Sequence, residues 1–240
     1  MKKLSRKILL VLMFIFSPLI MFSEEYSITM AQMPVYAVSP TEGVLVDLIK
    51  AIEEVSANKF NIKLNPFASS VYLVKKQMRD IHLPLIKNDL VKEEELPFYY
   101  STETQFHVNF VLYSKKEINL NLNDLSKYNI ETDRAHAEYF PFKIISSNSI
   151  EKSLEKVHNG KIDGFIFADF ATDPHLKKLA YKDIKRELYK TFESKIILAK
   201  NSKGKAADLM ITKATEKLKS NGKFQKIMTK IDLPYNNWQP

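Results

Sequence analysis

The chain has 240 residues, enough to bury a sizeable core as one large domain or two modest ones. Hydrophobic residues make up 45% and charged residues 27%, a globular composition that excludes an intrinsically disordered chain. The formal charge is +8, but four of the 36 basic residues (Lys2, Lys3, Arg6, Lys7) lie in the first seven positions. With residues 1–23 set aside, 32 basic residues (36 less 4) face 28 acidic ones in mixed-sign runs, which makes no demand for nucleic acid.

Residues 1–7 are basic, 8–22 are almost wholly apolar, and Ser23 is followed by Glu24 and Glu25. This is the basic start, apolar run and polar exit of a secretory signal peptide, taken as residues 1–23. The apolar run is interrupted by Pro18 and is shorter than the roughly 20 residues a membrane span requires. With no cysteine in the chain, export brings neither disulfides nor a lipid-modified cysteine. The expected product is a free, soluble periplasmic protein.

Taken in order, residues 26–32 alternate as a strand does, and Met33-Pro34-Val35-Tyr36 reads as a loop. The spacing of Val44, Leu45, Leu48, Ile49, Ile52 and Val55 predicts a helix over 42–57, with Thr41 as its N-cap. A strand over 60–64, a helix over 70–78 and a strand over 81–86 complete a β-α-β-α-β succession, which implies a mainly parallel sheet. An extended stretch at 98–101 and a strand at 107–114 then lead into a second such series. It comprises a helical turn at 123–128, strands at 129–132 and 142–145, a helix over 134–140, and a helix over 150–158 capped by Ser149 and ended by Gly160. A buried strand over 162–168 follows, then a helix over 173–181 with Pro174 in its first turn. Strands at 187–192 and 195–199 lead back to the first series, and helices over 205–220 and 222–231 close the chain. The lobes so defined are 24–110 with 194–240, and 111–193.

Asp169 stands where the strand over 162–168 emerges, and in open α/β sheets ligands bind outside the carboxyl ends of strands. It is a candidate acceptor for a ligand amine or hydroxyl, the alternatives being an N-cap or plain exposure. Tyr36 and Phe67 are candidate apolar walls, against the ordinary role of aromatics as core. Arg134, after a strand and at a helix start, is a candidate anion contact or else a surface ion pair. Gln32 closes the first strand, within reach of the same cleft or of a loop cap. The five histidines show no metal spacing, and no nucleophile elbow or phosphate loop is present, so no cofactor is expected. The most catalytic-looking cluster is Asp133, Arg134 and His136.

Several pieces resemble the periplasmic solute-binding proteins of ABC importers, in the polar amino acid branch known as family 3. Gly43-Val44-Leu45-Val46-Asp47-Leu48 is similar to the start of that family's first helix, and Phe98-Tyr99-Tyr100-Ser101 to its "(f/y)-S-x-P" segment. Asn159-Gly160-Lys161-Ile162-Asp163-Gly164, with Asp169 downstream, resembles its "G-k-(i/v)-D-a…D" run, and Asn221-Gly222 its terminal "(n/d)-G". The resemblance spans about residues 26–232 and implies a two-lobed α/β fold of periplasmic binding protein type II, with two mainly parallel sheets joined by two hinge crossings. It implies a non-enzymatic monomer that captures a small polar solute and delivers it to a membrane ABC permease. It also places an Arg upstream of the "S-x-P" segment to hold a ligand carboxylate, and here that stretch has none. Lys87 or Lys92 offers a point charge, and neither has the planar fork. An exported sensor or partner-binding module, or a dehydratase-like enzyme on the same scaffold, stands as the alternative.

Overall fold

The computed structural model describes residues 23–240; the signal-peptide reading rests on residues 1–22 and lies outside them. The first series is β1 (Glu25–Ala31), α1 (Val44–Ser56), β2 (Lys59–Asn65), α2 (Phe67–Lys75) and β3 (Ile81–Ile86), in the expected order. β4 (Phe98–Lys115) leads to β5 (Ile130–Asp133), a 3-10 turn (Arg134–Tyr139) and β6 (Ile145–Ser147). Then come α3 (Ile150–His158), β7 (Gly164–Ala168), α4 (Asp169–Leu179), β8 (Ile184–Ala199), α5 (Ser202–Ser220) and α6 (Lys223–Met228).

One continuous sheet runs through the molecule in the order β2-β1-β3-β8-β4-β7-β5-β6. β1 pairs in parallel with β2 and β3 at one end, and β5 in parallel with β6 and β7 at the other. The long antiparallel pair β4/β8 joins the two ends, so the parallel sheets expected from the helical crossovers are continuous through the crossings. The sequence predicts two extended stretches for each crossing, and the structure has one strand in each. Register shifts between Tyr100 and Phe106 and at Phe110/Val111 let a single strand bend and twist without ending.

Three local expectations are corrected. Gly43, at φ 134°, is the N-cap of α1 rather than Thr41, because the loop before the helix folds back onto it. The helix after β7 starts at Asp169, four residues earlier than expected, so Pro174 lies inside α4 and not in its first turn. Pro174 removes one intrahelical donor, and the helix nevertheless runs on to Leu179. α2 likewise starts at Phe67, directly after Pro66.

α1 forms because its apolar residues recur at three and four on one face: Val44, Leu45, Leu48, Ile49 and Ile52 are all buried against the sheet. Each such side chain stabilises the fold by about 1.5–3 kcal/mol relative to leaving it exposed. The helix ends at Ala57, left-handed at φ 56°, whose N–H bonds back to the Glu53 carbonyl. α3 is capped as expected, with the Ser149 hydroxyl accepting from the Lys152 N–H. Gly204 at the start of α5 permits a close approach: a Cβ there would lie 1.9 Å from the Ala199 carbonyl oxygen. The strand ends that matter for function are the carboxyl ends of β1, β2 and β3 and those of β5 and β7. The β4/β8 ribbon holds these two sets face to face. Among the described residues no helix is long and apolar enough to cross a membrane.

Candidate functional site between the strand ends

β1 delivers the chain to a tight turn closed by the Met33 N–H on the Ala37 carbonyl and the Ala37 N–H on the Met33 carbonyl, both at 3.0 Å. Val35 sits in that turn at φ 69°, an unusual and strained position for a β-branched residue. The turn caps the helix after it: the Val35 and Tyr36 carbonyls accept the Val44 and Leu45 N–H groups at 3.0 and 2.9 Å. These donors of the first turn of α1 are thereby occupied by protein and closed to an anion. Gly43 is required here, since a Cβ would lie 2.5 Å from the Tyr36 carbonyl oxygen.

The turn aims Tyr36 across the gap. Its ring is buried and stands 4.9 Å from Phe170 of α4 and 5.7 Å from Phe106 of β4, measured between centroids. Burial pushes the Tyr36 hydroxyl pKa up, and Asp169 and Asp232 add to the effect, so this phenol stays protonated and faces two carboxylates. Asp169 is the first residue of α4, and its carboxylate accepts from the Asn109 amide at 3.2 Å and from the Phe170 N–H at 2.7 Å. Burial raises its pKa, and those two hydrogen bonds pull the other way without cancelling the effect.

The second contact zone lies under α2. Phe67 is 5.8 Å from the His136 ring, which is also 5.6 Å from Phe110, 5.5 Å from Tyr139 and 5.3 Å from Phe167. His136 Nδ1 is 3.3 Å from Asp133, which also accepts from the Ala135 N–H at 2.9 Å. Burial pushes Asp133 up, but the bonds from His136 and Ala135 and the nearby Arg134 charge outweigh it, and its pKa lies below the usual range. Arg134 itself is exposed beside that carboxylate. Phe67 also meets His82 edge-on at 5.9 Å.

Among the described residues, His82 and Ser70 form a pair with the look of a nucleophile and base, at 2.7 Å. Both are fully buried, and His82 Nε2 is 3.1 Å from the Pro84 carbonyl. Thr29 and Asn65 extend the chain of bonds, tying β1, β2, β3 and α2 together. Desolvation lowers the His82 pKa to about 4, so the imidazole is neutral, and the network is structural.

Of the residues named from sequence, Tyr36 and Asp169 come together, and Phe67 and Arg134 meet around Asp133 and His136. Lys87 pairs with Glu93 at 2.8 Å, an ion pair that raises its pKa. Gln32 is exposed at the end of β1, its N–H bonded to the Asn65 carbonyl. Sequence reading missed Asn88, which is buried and donates its amide to the Glu138 carbonyl across the gap at 3.1 Å. Its only signal in the sequence is a polar side chain two residues past the end of β3. It also missed Asn109, because a polar residue inside a strand of strong β formers reads as outward-facing. Among the described residues there is no cluster of His, Cys, Asp and Glu able to hold a metal ion.

No protein-family model matches the chain, and no curated protein matches it in sequence. Solved structures do match its fold. The chain is similar to a histidine kinase sensor domain with similarity to periplasmic binding proteins, with 12% identity and a TM-score of 0.64 over 91% of this chain and 99% of that one. It is also similar to the arginine-, lysine-, histidine-binding protein ArtJ from Geobacillus stearothermophilus, with 16% identity and a TM-score of 0.64 over 90% and 97%. A putative L-cystine ABC transporter protein from Listeria monocytogenes matches with 16% identity and a TM-score of 0.62 over 90% and 100%. At these identities the likeness is one of fold, and the chain has the α/β fold of the type II periplasmic binding proteins in a strongly divergent sequence.

Proposed function

We propose that the protein is an exported binding protein that captures a small polar solute in the cleft between two lobes. The lobes are residues 24–110 with 194–240, and residues 111–193; bending at β4 and β8 closes them. The observation that carries this reading is the meeting of Tyr36 and Asp169. A half-buried carboxylate at a strand exit faces a buried phenol from the opposite strand ends, with Phe170 beside them. The solute is amino-acid-like or another organic ion, delivered in the periplasm to a membrane ABC permease by a monomeric protein. Lys87 is engaged with Glu93, so a ligand carboxylate would have to be held by Arg134. The residues proposed to line the cleft are Gln32, Tyr36, Phe67, Lys87, Arg134 and Asp169.

A second reading, an exported sensor or partner-binding module, is favoured by one specific observation. Tyr36–Phe170, Phe67–His136 and Asn88–Glu138 already span the cleft with the protein's own groups. A thermal-shift screen of amino acids, amines, organic acids and sugars separates the two. A true solute at 100 times its dissociation constant stabilises the folded state by about 2.7 kcal/mol. A shift in one class supports solute capture; silence in every class supports the sensor or partner module.

A further inference from the structure

We propose that residues 232–240 are an intramolecular strap, a peptide anchored on Arg186 of the second lobe that holds the two lobes together across the crossing strands. The inference rests on the two-lobe reading above. α6, from which the strap departs, packs against α1 and α5 of the first lobe, and Ile231 after it is buried. The strap then climbs the β4/β8 ribbon. Asp232 accepts from the His107 N–H at 2.9 Å, and the Leu233 carbonyl accepts from the Asn109 amide at 3.2 Å.

On the second lobe the strap meets a built site. The Arg186 side chain is fully buried, and four of its bonds are in place. Two go to Asp173 at 2.8 and 2.7 Å, and Nη1 donates to the Asn236 and Trp238 carbonyls at 2.9 and 2.6 Å. The Trp238 and Tyr235 rings lie 4.5 and 5.4 Å from the guanidinium, and Lys177 lies 4.6 Å from the indole. The indole N–H donates to Asp173 at 3.1 Å. Gln239 reads the backbone of β8 as a neighbouring strand would, accepting from the Arg186 N–H and donating to its carbonyl, both at 2.9 Å. Lifting the strap would break both carbonyl bonds and both ring contacts of the guanidinium and open it to water, so the docked state is favoured by those contacts.

The strap also touches the candidate site. The Asn109 amide that holds the Leu233 carbonyl also donates to Asp169, and its oxygen accepts from Thr191 of β8 at 3.0 Å. Asp169, both crossing strands and the strap therefore share one side chain.

The chain supplies its own reporters: Trp238 is its single tryptophan, and it has no cysteine to confuse labelling. Spin labels at Lys59→Cys and Lys152→Cys, exposed positions in the two lobes, measure the inter-lobe distance in the full chain. With Tyr235→Ala and Gln239→Ala added, we expect Trp238 emission to shift to the red and the distance distribution to broaden toward longer values. A red shift with an unchanged distribution overturns the strap, and an unshifted emission overturns the docking contacts. Gln239→Ala alone, which removes only the two bonds to β8, gives the same readout if the double variant fails to fold. A solute from the screen changes the wild-type distance whether or not the strap acts, so failure of the binding reading appears on a separate arm.

Discussion

Replacing Asp173 with alanine tests the buried charge on which β4, β8, α4 and the C-terminal segment converge. Asp173 accepts from Arg186 Nε and Nη2, from the Tyr113 hydroxyl at 2.7 Å and from the Trp238 indole. The alanine variant leaves a guanidinium of zero exposure on two tail carbonyls alone, and strands a phenol that is equally buried. Removing one member of a buried ion pair costs about 3–5 kcal/mol, and an unsatisfied buried hydroxyl about 1–3 more. Water entering beside the strap offsets part of this, which leaves about 3–5 kcal/mol. In a chain of this size that lowers the melting temperature by about 6–20 °C. Urea and thermal unfolding of Asp173→Ala, Arg186→Met and the double variant form the cycle that isolates the pair. The double variant is expected to be more stable than Asp173→Ala, because it no longer buries an uncompensated charge. Additive losses, or an Asp173→Ala variant within about 1 kcal/mol of wild type, would refute the reasoning.

Three further outcomes follow from local geometry. Gly43→Ala places a methyl 2.5 Å from the Tyr36 carbonyl at φ 134° and should destabilise by about 1–3 kcal/mol, whereas Gly160→Ala, strained by its φ of 65° but with open space around it, should cost about 1 kcal/mol; equal melting points would contradict this. The His82 pKa of about 4 lies below that of an unfolded histidine, so the unfolded state binds the proton more tightly. Its contribution is complete above about pH 6.5 and is lost as pH falls toward 4, by about 3 kcal/mol in all, and His82→Gln should flatten that part of a stability–pH profile. Asp169 has the opposite sign: its raised pKa means that the folded state prefers the protonated carboxyl, so neutral pH carries a cost. Asp169→Asn should keep or raise the melting temperature at pH 7 while weakening solute binding, and a large drop in melting temperature would count against the cleft role.

The order of elements was legible because each amphipathic helix carries its own period. α3 was placed to the residue, since Ser149, the apolar positions and Gly160 all agree. The crossings were not legible as single strands, because Glu103 and Gln105 interrupt the apolar pattern just where the register shifts. The start of α4 was hidden by Pro174, which normally marks a first turn. Asp169 could be found because it follows an unbroken apolar strand. Its partners could not, because Asn109 lies 60 residues away and is polar within β4. The strap was the least legible feature. Leu233-Pro234-Tyr235-Asn236-Asn237-Trp238 has no periodicity, and Arg186 falls just before the strand predicted at 187–192, although β8 starts at Ile184. Only the fold brings Arg186 to residues about 50 positions downstream.

The most direct test of solute capture is calorimetric titration of the best compound from the screen against wild type, Asp169→Ala and Tyr36→Ala. These residues come from opposite ends of the sheet and meet at the Tyr36–Phe170 contact, so one ligand seated there must feel both. The account predicts that each substitution weakens binding at least about tenfold, the equivalent of roughly 1.4 kcal/mol. Wild-type affinity in both variants would place the ligand outside the cleft and contradict the account.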